Sequence, residues 1–82
     1  MVILVVNTFL AMTATSISVQ INGEARTIPA NQSVAELLAS LELPADRIAL
    51  ELNKNIVRKR DWPRVIVPDG ARLEIVEFVG GG

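Results

Sequence analysis

The 82-residue sequence contains no cysteine and no histidine. Without cysteine, the chain can form neither a disulfide framework nor a thiolate metal site. Without histidine, it lacks the usual general base at neutral pH and the commonest metal ligand in proteins. The remaining carboxylates, basic residues and hydroxyls form no pair at a catalytic spacing. We therefore expect no bound cofactor or metal, and a protein that enzymes act upon rather than an enzyme.

An excess of charge of one sign is also missing, because eight Lys and Arg residues face nine Asp and Glu residues. A net charge of −1 offers no general attraction to the phosphates of nucleic acid. Half of the residues are apolar, which is normal for a folded soluble protein. A chain of this length has room for one small core. We expect a single domain that does not bind nucleic acid.

Residues 1–12 are almost continuously apolar, interrupted by Asn7 and Thr8, and this stretch is shorter than the roughly 20 residues that a membrane-spanning helix needs. No Lys or Arg precedes it, as a secretory signal would require. Its Val and Ile residues leave an extra strand open as an interpretation, and so does a translation start at Met12. We favour a misplaced start or a loosely attached extension, and treat residues 1–15 as an N-terminal apolar extension of the domain.

From Ser16 onward, apolar and polar residues alternate. Ile17, Val19 and Ile21 are separated by single polar residues, as in a half-buried strand. The following Asn22-Gly23 pair predicts a two-residue hairpin turn, because both central positions of that turn need a positive φ. The returning strand is expected over residues 25–28, and Pro29 ends it. The first unit is therefore a β-hairpin.

A short amphipathic helix is predicted next. Ser33 and Glu36 have the spacing of a capping box, in which the two side chains satisfy reciprocal backbone donors. The residues Val34, Leu37, Leu38 and Leu41 form one apolar stripe at helical spacing. Because the helix is short, its stability must come from packing that stripe onto a sheet.

The second half of the chain returns to strand patterns. Residues 47–53 alternate, residues 56–57 predict a brief strand, and residues 72–78 form the last strand. Between them, the cluster of residues 58–60 is interpreted as a solvated loop whose charges partly pair with Asp61. Trp62 is interpreted as a hydrophobic plug.

A hairpin, a helix across one sheet face and further strands predict an α+β domain of the β-grasp type, a mixed sheet packed on one helix. We assign residues 16–79 to this domain. In a β-grasp the first and last strands lie side by side in the centre of the sheet and run parallel. The C-terminus then leaves from a firmly held strand.

The last strand carries apolar residues on both faces. Leu73 and Ile75 are expected to face the helix, which places Val76 and Phe78 on the opposite face. The N-terminal extension or the Trp62 loop could cover them. The interpretation that we favour is a docking patch for a partner, formed by Val76, Phe78 and Val79.

Three glycines end the chain. Gly80, Gly81 and Gly82 have no Cβ, and residues at a chain end without packing contacts are expected to be flexible. Three extended residues reach about 10 Å, enough to place the Gly82 carboxylate in the active site of another protein. A frayed end without function is the alternative interpretation.

The chain from Ser16 to Gly82 resembles the ThiS family, the sulfur carrier proteins of thiamine thiazole biosynthesis, which share the ubiquitin-like β-grasp. The resemblance depends mainly on the second half of the sequence, and one departure is residues 57–60, where such proteins often have Val-Pro-Arg. The matching segments are Ile21-Asn22-Gly23-Glu24, Ala49-Leu50-Glu51-Leu52-Asn53, Ile56-Val57, Arg60-Asp61-Trp62, Asp69-Gly70, Leu73-Glu74-Ile75-Val76 and Phe78-Val79-Gly80-Gly81-Gly82.

The resemblance implies a cytoplasmic carrier that binds no cofactor itself. An E1-like, ThiF-like adenylyltransferase would use ATP to adenylate the carboxylate of Gly82. A persulfide donor would then supply sulfur to form a thiocarboxylate, and a ThiG-like thiazole synthase would accept that sulfur. Gly80 and Gly81 would let the tail enter both active sites, since they add no side chain.

Three alternatives stay open from the sequence. The small subunit of molybdopterin synthase is a sulfur carrier with the same fold and the same kind of glycine end. A ubiquitin-like modifier would instead join Gly82 to lysines of other proteins. A plain binding module would carry the glycines incidentally, and would keep its function without Gly81 and Gly82.

Overall fold

The computed structural model describes residues 15–78 of the chain. Of the predicted extension, residues 1–15, all but the last residue lie outside this range, and so do Val79 and the predicted glycine tail, residues 80–82. The secondary structure comprises β1 (Ser16–Ile21), β2 (Glu24–Pro29), α1 (Val34–Ser40), β3 (Ile48–Leu52), β4 (Asn55–Ile56) and β5 (Arg72–Glu77), with short 3₁₀ turns at Ala45–Arg47 and Lys59–Asp61.

The strands form one five-stranded sheet in the order β2-β1-β5-β3-β4. The first and last strands, β1 and β5, are neighbours and run parallel, with Ile21 beside Leu73. The other three pairs of neighbours are antiparallel. The sheet is therefore mixed, and its first and last strands lie together as the sequence predicts.

The hairpin between β1 and β2 has the predicted turn. Asn22 has a φ of 50° and Gly23 a φ of 84°, so both central residues are left-handed. Strand β2 is longer than predicted, because Glu24 pairs with Ile21 and Pro29 pairs with Ser16. Proline is tolerated at this position because β2 is an edge strand.

Helix α1 begins with the predicted capping box. The Glu36 amide donates to Ser33 Oγ at 3.0 Å, and the Ser33 amide donates to Glu36 Oε1 at 2.8 Å. The backbone N–H of Ser33, together with its hydroxyl, lowers the pKa of the Glu36 carboxyl from its ordinary value. The helix ends at Ser40, one residue before the end of the apolar stripe, and Leu41 forms its C-cap.

The core lies between α1 and one face of the sheet. Val34, Leu37 and Leu38 of the helix are buried, so the predicted stripe faces the strands. The buried apolar residues are Val19, Ile21, Ile28, Val34, Leu37, Leu38, Ile48, Leu50, Trp62, Val67, Ala71 and Leu73.

Among residues 15–78, no helix has the length and apolar character that a membrane-spanning helix needs.

Trp62 is the predicted hydrophobic plug, with only 4% of its surface exposed. Its indole Nε1–H donates to the Val57 carbonyl at 2.9 Å, which satisfies the one polar group of the buried ring. Its own carbonyl accepts from the Ala35 amide at 3.1 Å, which ties the loop to α1. The Trp62 ring is therefore part of the helix-side core.

The predicted pairing of residues 58–60 with Asp61 is wrong. Asp61 forms its ion pair with Arg64, at 2.7 Å from Nη2 to Oδ1. The two residues lie three positions apart across the turn that follows the Lys59–Asp61 3₁₀ segment, which brings the side chains together. The side chains of residues 58–60 are exposed, as expected for a solvated loop.

Candidate functional site

Strand β5 leads directly to the predicted tail and is held on both sides, by β1 and by β3. Its residue Leu73 is 1% exposed. The Phe78 amide donates to the Arg47 carbonyl at 2.7 Å, which extends the pairing with β3 beyond the end of the strand. The backbone is therefore fixed as far as Phe78, the last described residue. The predicted site residues Val79, Gly80, Gly81 and Gly82 lie outside the described range and remain predictions.

Two asparagines hold β5 from neighbouring turns, a feature that sequence reasoning missed. Asn22 accepts from the Ile75 amide through Oδ1 at 2.7 Å and donates through Nδ2 to the Ile75 carbonyl at 3.1 Å. Asn53 accepts from the Arg72 amide through Oδ1 at 2.9 Å. Both asparagines have a φ of 50°, a conformation that asparagine tolerates better than most residues. Their turns were readable from the sequence, but their long-range partners were not.

The two faces of β5 differ as predicted. Leu73 is buried and Ile75 is half-buried against the core. Val76 is 55% exposed and Phe78 is 56% exposed. Trp62 does not cover them, because it is buried on the helix side. The N-terminal extension that was the other possible cover lies outside the described residues.

The register of the sheet adds Ala49 and Ile56 to this exposed surface. Val76 lies opposite Ala49 of β3, and Ile56 of β4 lies opposite Glu51 of β3. Cross-strand partners project from the same face of a sheet, so these side chains share one surface. Ile56 is 76% exposed. We call Ala49, Ile56, Val76 and Phe78 the open-face patch.

A shallow depression of about 320 Å³ runs through the patch, and Glu51 and Glu74 line it together with Val76 and Ile56. The two glutamates lie directly opposite each other in the register of β3 and β5. Like charges in that position repel, and they give the patch an acidic margin. An exposed apolar patch bordered by carboxylates is typical of a surface that binds a partner.

Sequence reasoning did not assign Ile56 to the surface. It identified a brief strand at residues 56–57, and the structure places that strand at Asn55–Ile56. Which face Ile56 occupies depends on its pairing with Glu51. A strand of two residues is too short for its sequence to specify this pairing. A shift of one residue in the pairing would move every side chain of the strand to the other face.

Comparison with known proteins identifies the family of this chain. The model of the ThiS family matches residues 19–82, which include the open-face patch and the glycine tail. The sulfur carrier protein ThiS of Escherichia coli is 34% identical over 61 residues, which are 74% of this chain and 92% of the carrier.

A thiazole synthase of Paramagnetospirillum magneticum is 45% identical over 62 residues, which are 76% of this chain. This chain spans about a fifth of that protein, 19% of its length. Among solved structures, the ThiS thiamine biosynthesis protein of Geobacter metallireducens superimposes with a TM-score of 0.71 and 29% identity. The match covers 80% of this chain and all of that one, and confirms the predicted β-grasp.

Proposed function

Because this chain belongs to the ThiS family, we propose that it is a sulfur carrier protein of thiamine biosynthesis. The sulfur is carried as a thiocarboxylate at the C-terminal carboxyl group of Gly82. The observation that carries the proposal is that β5, a central strand fixed as far as Phe78, continues directly into the three glycines. A rigid domain with a short tail of small residues is suited to placing its terminal carboxyl group in the active site of another protein.

The chemistry requires activation, because a carboxylate is a poor electrophile. In the proposed first step, an oxygen of the Gly82 carboxylate attacks the α-phosphorus of ATP on an E1-like enzyme, and pyrophosphate leaves. The resulting acyl adenylate has AMP as a good leaving group. A persulfide sulfur then attacks the carbonyl carbon and displaces AMP. Cleavage of the sulfur–sulfur bond by a thiol leaves the thiocarboxylate.

The proposed acceptor is a ThiG-like thiazole synthase, to which the thiocarboxylate passes its sulfur. A thiazole synthase that contains a segment similar to this chain within its own polypeptide supports that pairing. The open-face patch supports it as well, because it gives the enzyme a surface to bind beside the root of the tail. The chain itself contributes binding and presentation, while the enzymes bind ATP and the sulfur donor. We place the protein in the cytoplasm, where these partners act.

Pyrophosphate exchange tests the proposal. The purified chain is incubated with the E1-like enzyme, ATP and labelled pyrophosphate, and incorporation of label into ATP is measured. Deletion of Gly82 should abolish exchange and leave the thermal melting curve unchanged. Replacement Gly81→Leu should slow exchange, since a side chain obstructs a channel that admits glycine. Full exchange after the deletion would contradict the proposal, and so would isopeptide conjugates of Gly82 in place of a thiocarboxylate.

A further inference from the structure

Strand β1 accompanies β5 over only part of its length. The two strands pair at Gln20 with Arg72 and at Ile21 with Leu73. The chain then turns away at Asn22 and Gly23, whose positive φ values lead it into β2. The side chain of Asn22 makes the next contacts, with the backbone of Ile75. Within residues 15–78 no strand continues alongside β5 on this side.

The hydrogen bonds of β5 alternate between its two neighbours. Arg72 and Phe78 bond to the β3 side, since the Arg72 carbonyl accepts from Asn53 and the Phe78 amide donates to Arg47. Leu73 and Ile75 bond to the β1 side, both through Asn22. By this alternation the N–H and C=O of Glu77 point to the β1 side.

Among residues 15–78, no strand occupies the position that Glu77 faces on this side. No residue in the range 15–78 forms a hydrogen bond to the Glu77 backbone on that side. An exposed row of backbone donors and acceptors is a template for pairing with another chain. Here the unpaired donor and acceptor are those of Glu77, the last residue of β5.

A groove of about 340 Å³ opens at the same position. Asn22 and Glu77 both line it, and its apolar lining consists of Ile21 and Ile75 of the sheet together with Leu41 and Leu43, which follow α1. Arg26 of β2 lines it as well, so its charged groups are of both signs. Successive side chains of a strand point to opposite faces of a sheet. A strand added at this edge would therefore place one side chain in the apolar groove and the next on the other face.

We propose that an extended segment of the adenylating enzyme fills this position as an additional strand, bonded to the Glu77 backbone, with an apolar side chain in the groove. This inference rests on the proposed function, and names a contact for it. Addition of a strand to a sheet edge is a general mode of peptide recognition, in which main-chain hydrogen bonds supply affinity and side-chain pockets supply specificity. The pairing holds the chain extended where the tail begins. In the proposed function, the adenylating enzyme binds the carrier while its C-terminal carboxylate is still unmodified. This enzyme must align that carboxylate with the α-phosphate of ATP, and a fixed β5 end would help to do so.

Amide exchange measured by NMR tests the contact without any substitution. In the free chain the Glu77 amide should exchange fast, while the Phe78 amide, bonded to Arg47, should be protected. Excess adenylating enzyme should slow exchange at Glu77. Fast exchange at Glu77 in the complex would overturn the inference. Protection that appears in the chain alone as its concentration rises would also overturn it, because a second copy would then be the occupant.

A matched pair of variants gives a second test. Proline lacks the N–H group, so Glu77→Pro removes the proposed donor, while Glu77→Gln keeps it. The fold should survive both, since that N–H is not bonded within the described residues. We expect the KM for the carrier in pyrophosphate exchange to rise about tenfold for Glu77→Pro and to change less than about twofold for Glu77→Gln.

The two failures are distinguishable. Equal KM values for the two variants, with normal exchange by the wild-type chain, would overturn the strand contact and leave the proposed function in place. Absence of exchange with the wild-type chain would overturn the proposed function and the strand contact together. Circular dichroism of both variants shows whether the fold is retained.

Discussion

The side-chain amide of Asn22 forms two hydrogen bonds with the backbone of Ile75, accepting from its N–H at 2.7 Å and donating to its C=O at 3.1 Å. The two residues are 53 positions apart in the sequence. The amide group of Asn22 takes the place of a peptide group of β1 at the point where β1 has ended. One turn residue thus connects the first hairpin to the strand that carries the tail.

Replacement Asn22→Gly should reduce the free energy of unfolding by about 1–2 kcal/mol, since two solvent-exposed hydrogen bonds are lost. Glycine tolerates the φ of 50°, so backbone strain does not contribute. Urea unfolding followed by circular dichroism measures the change. The control is Asn22→Asp, which keeps the acceptor for the Ile75 amide. It should reduce the free energy of unfolding by less than Asn22→Gly does. Equal losses in the two variants would show that the acceptor contributes nothing.

Replacement Trp62→Phe should destabilise the domain by about 1–3 kcal/mol, because the Val57 carbonyl loses its indole donor while an aromatic ring still fills the site. Replacement Trp62→Ala should cost more, about 3–5 kcal/mol, since it also leaves a cavity. Thermal and urea unfolding compare the three proteins. A Phe variant as stable as the wild type would mean that the hydrogen bond to Val57 is energetically neutral.

The capping box predicts a pH dependence of stability. The folded state lowers the pKa of Glu36 through hydrogen bonds from Ser33, so the unfolded chain takes up a proton first as the pH falls. The contribution is present above the unfolded pKa and is lost as the pH falls through the folded pKa. Melting temperatures of the wild type and of Glu36→Gln should differ most at neutral pH and converge in acid. A difference that does not change with pH would exclude this role of the carboxylate.

The open-face patch predicts a loss of partner binding without a loss of stability. In the double variant Ile56→Thr and Val76→Thr, both exposed side chains become polar and stay β-branched, so the sheet should be retained. The KM of thiazole synthase for the thiocarboxylated carrier should rise about tenfold, since apolar contact area is removed. The melting temperature should change little.

Ile66 supplies the control for that experiment. It is 51% exposed but bridges to Ser33 at the start of α1, away from the patch. Replacement Ile66→Thr should leave the KM unchanged. If it raised the KM as much as the double variant does, replacing any exposed isoleucine with threonine would have the same effect, and the patch would lose its assigned role.

Features set by neighbouring residues were predictable from the sequence. The turn at Asn22-Gly23 and the capping box of Ser33 and Glu36 depend on side chains a few positions apart. The alternation of Leu73 and Val76 between the core and the open face followed from the period of a strand. These local rules were sufficient for the fold class and for the exposed part of the predicted docking surface.

Features that depend on register or on distant partners were not predictable. The pairing of Asn22 with Ile75 and the membership of Ile56 in the open-face patch require the strand order to be known. Asp61 pairs with Arg64 rather than with residues 58–60, because the chain turns after Asp61. The presence of basic residues next to Asp61 in the sequence does not show which of them the turn brings close to its carboxylate.

The mass of the intact chain, measured after incubation with the E1-like enzyme, ATP and a persulfide donor, tests the central claim most directly. The account predicts that one oxygen is replaced by one sulfur and that fragmentation locates the replacement at Gly82. Thiazole synthase with its other substrates should return the mass to its starting value. An unchanged mass, or a sulfur located at any other residue, would contradict the account.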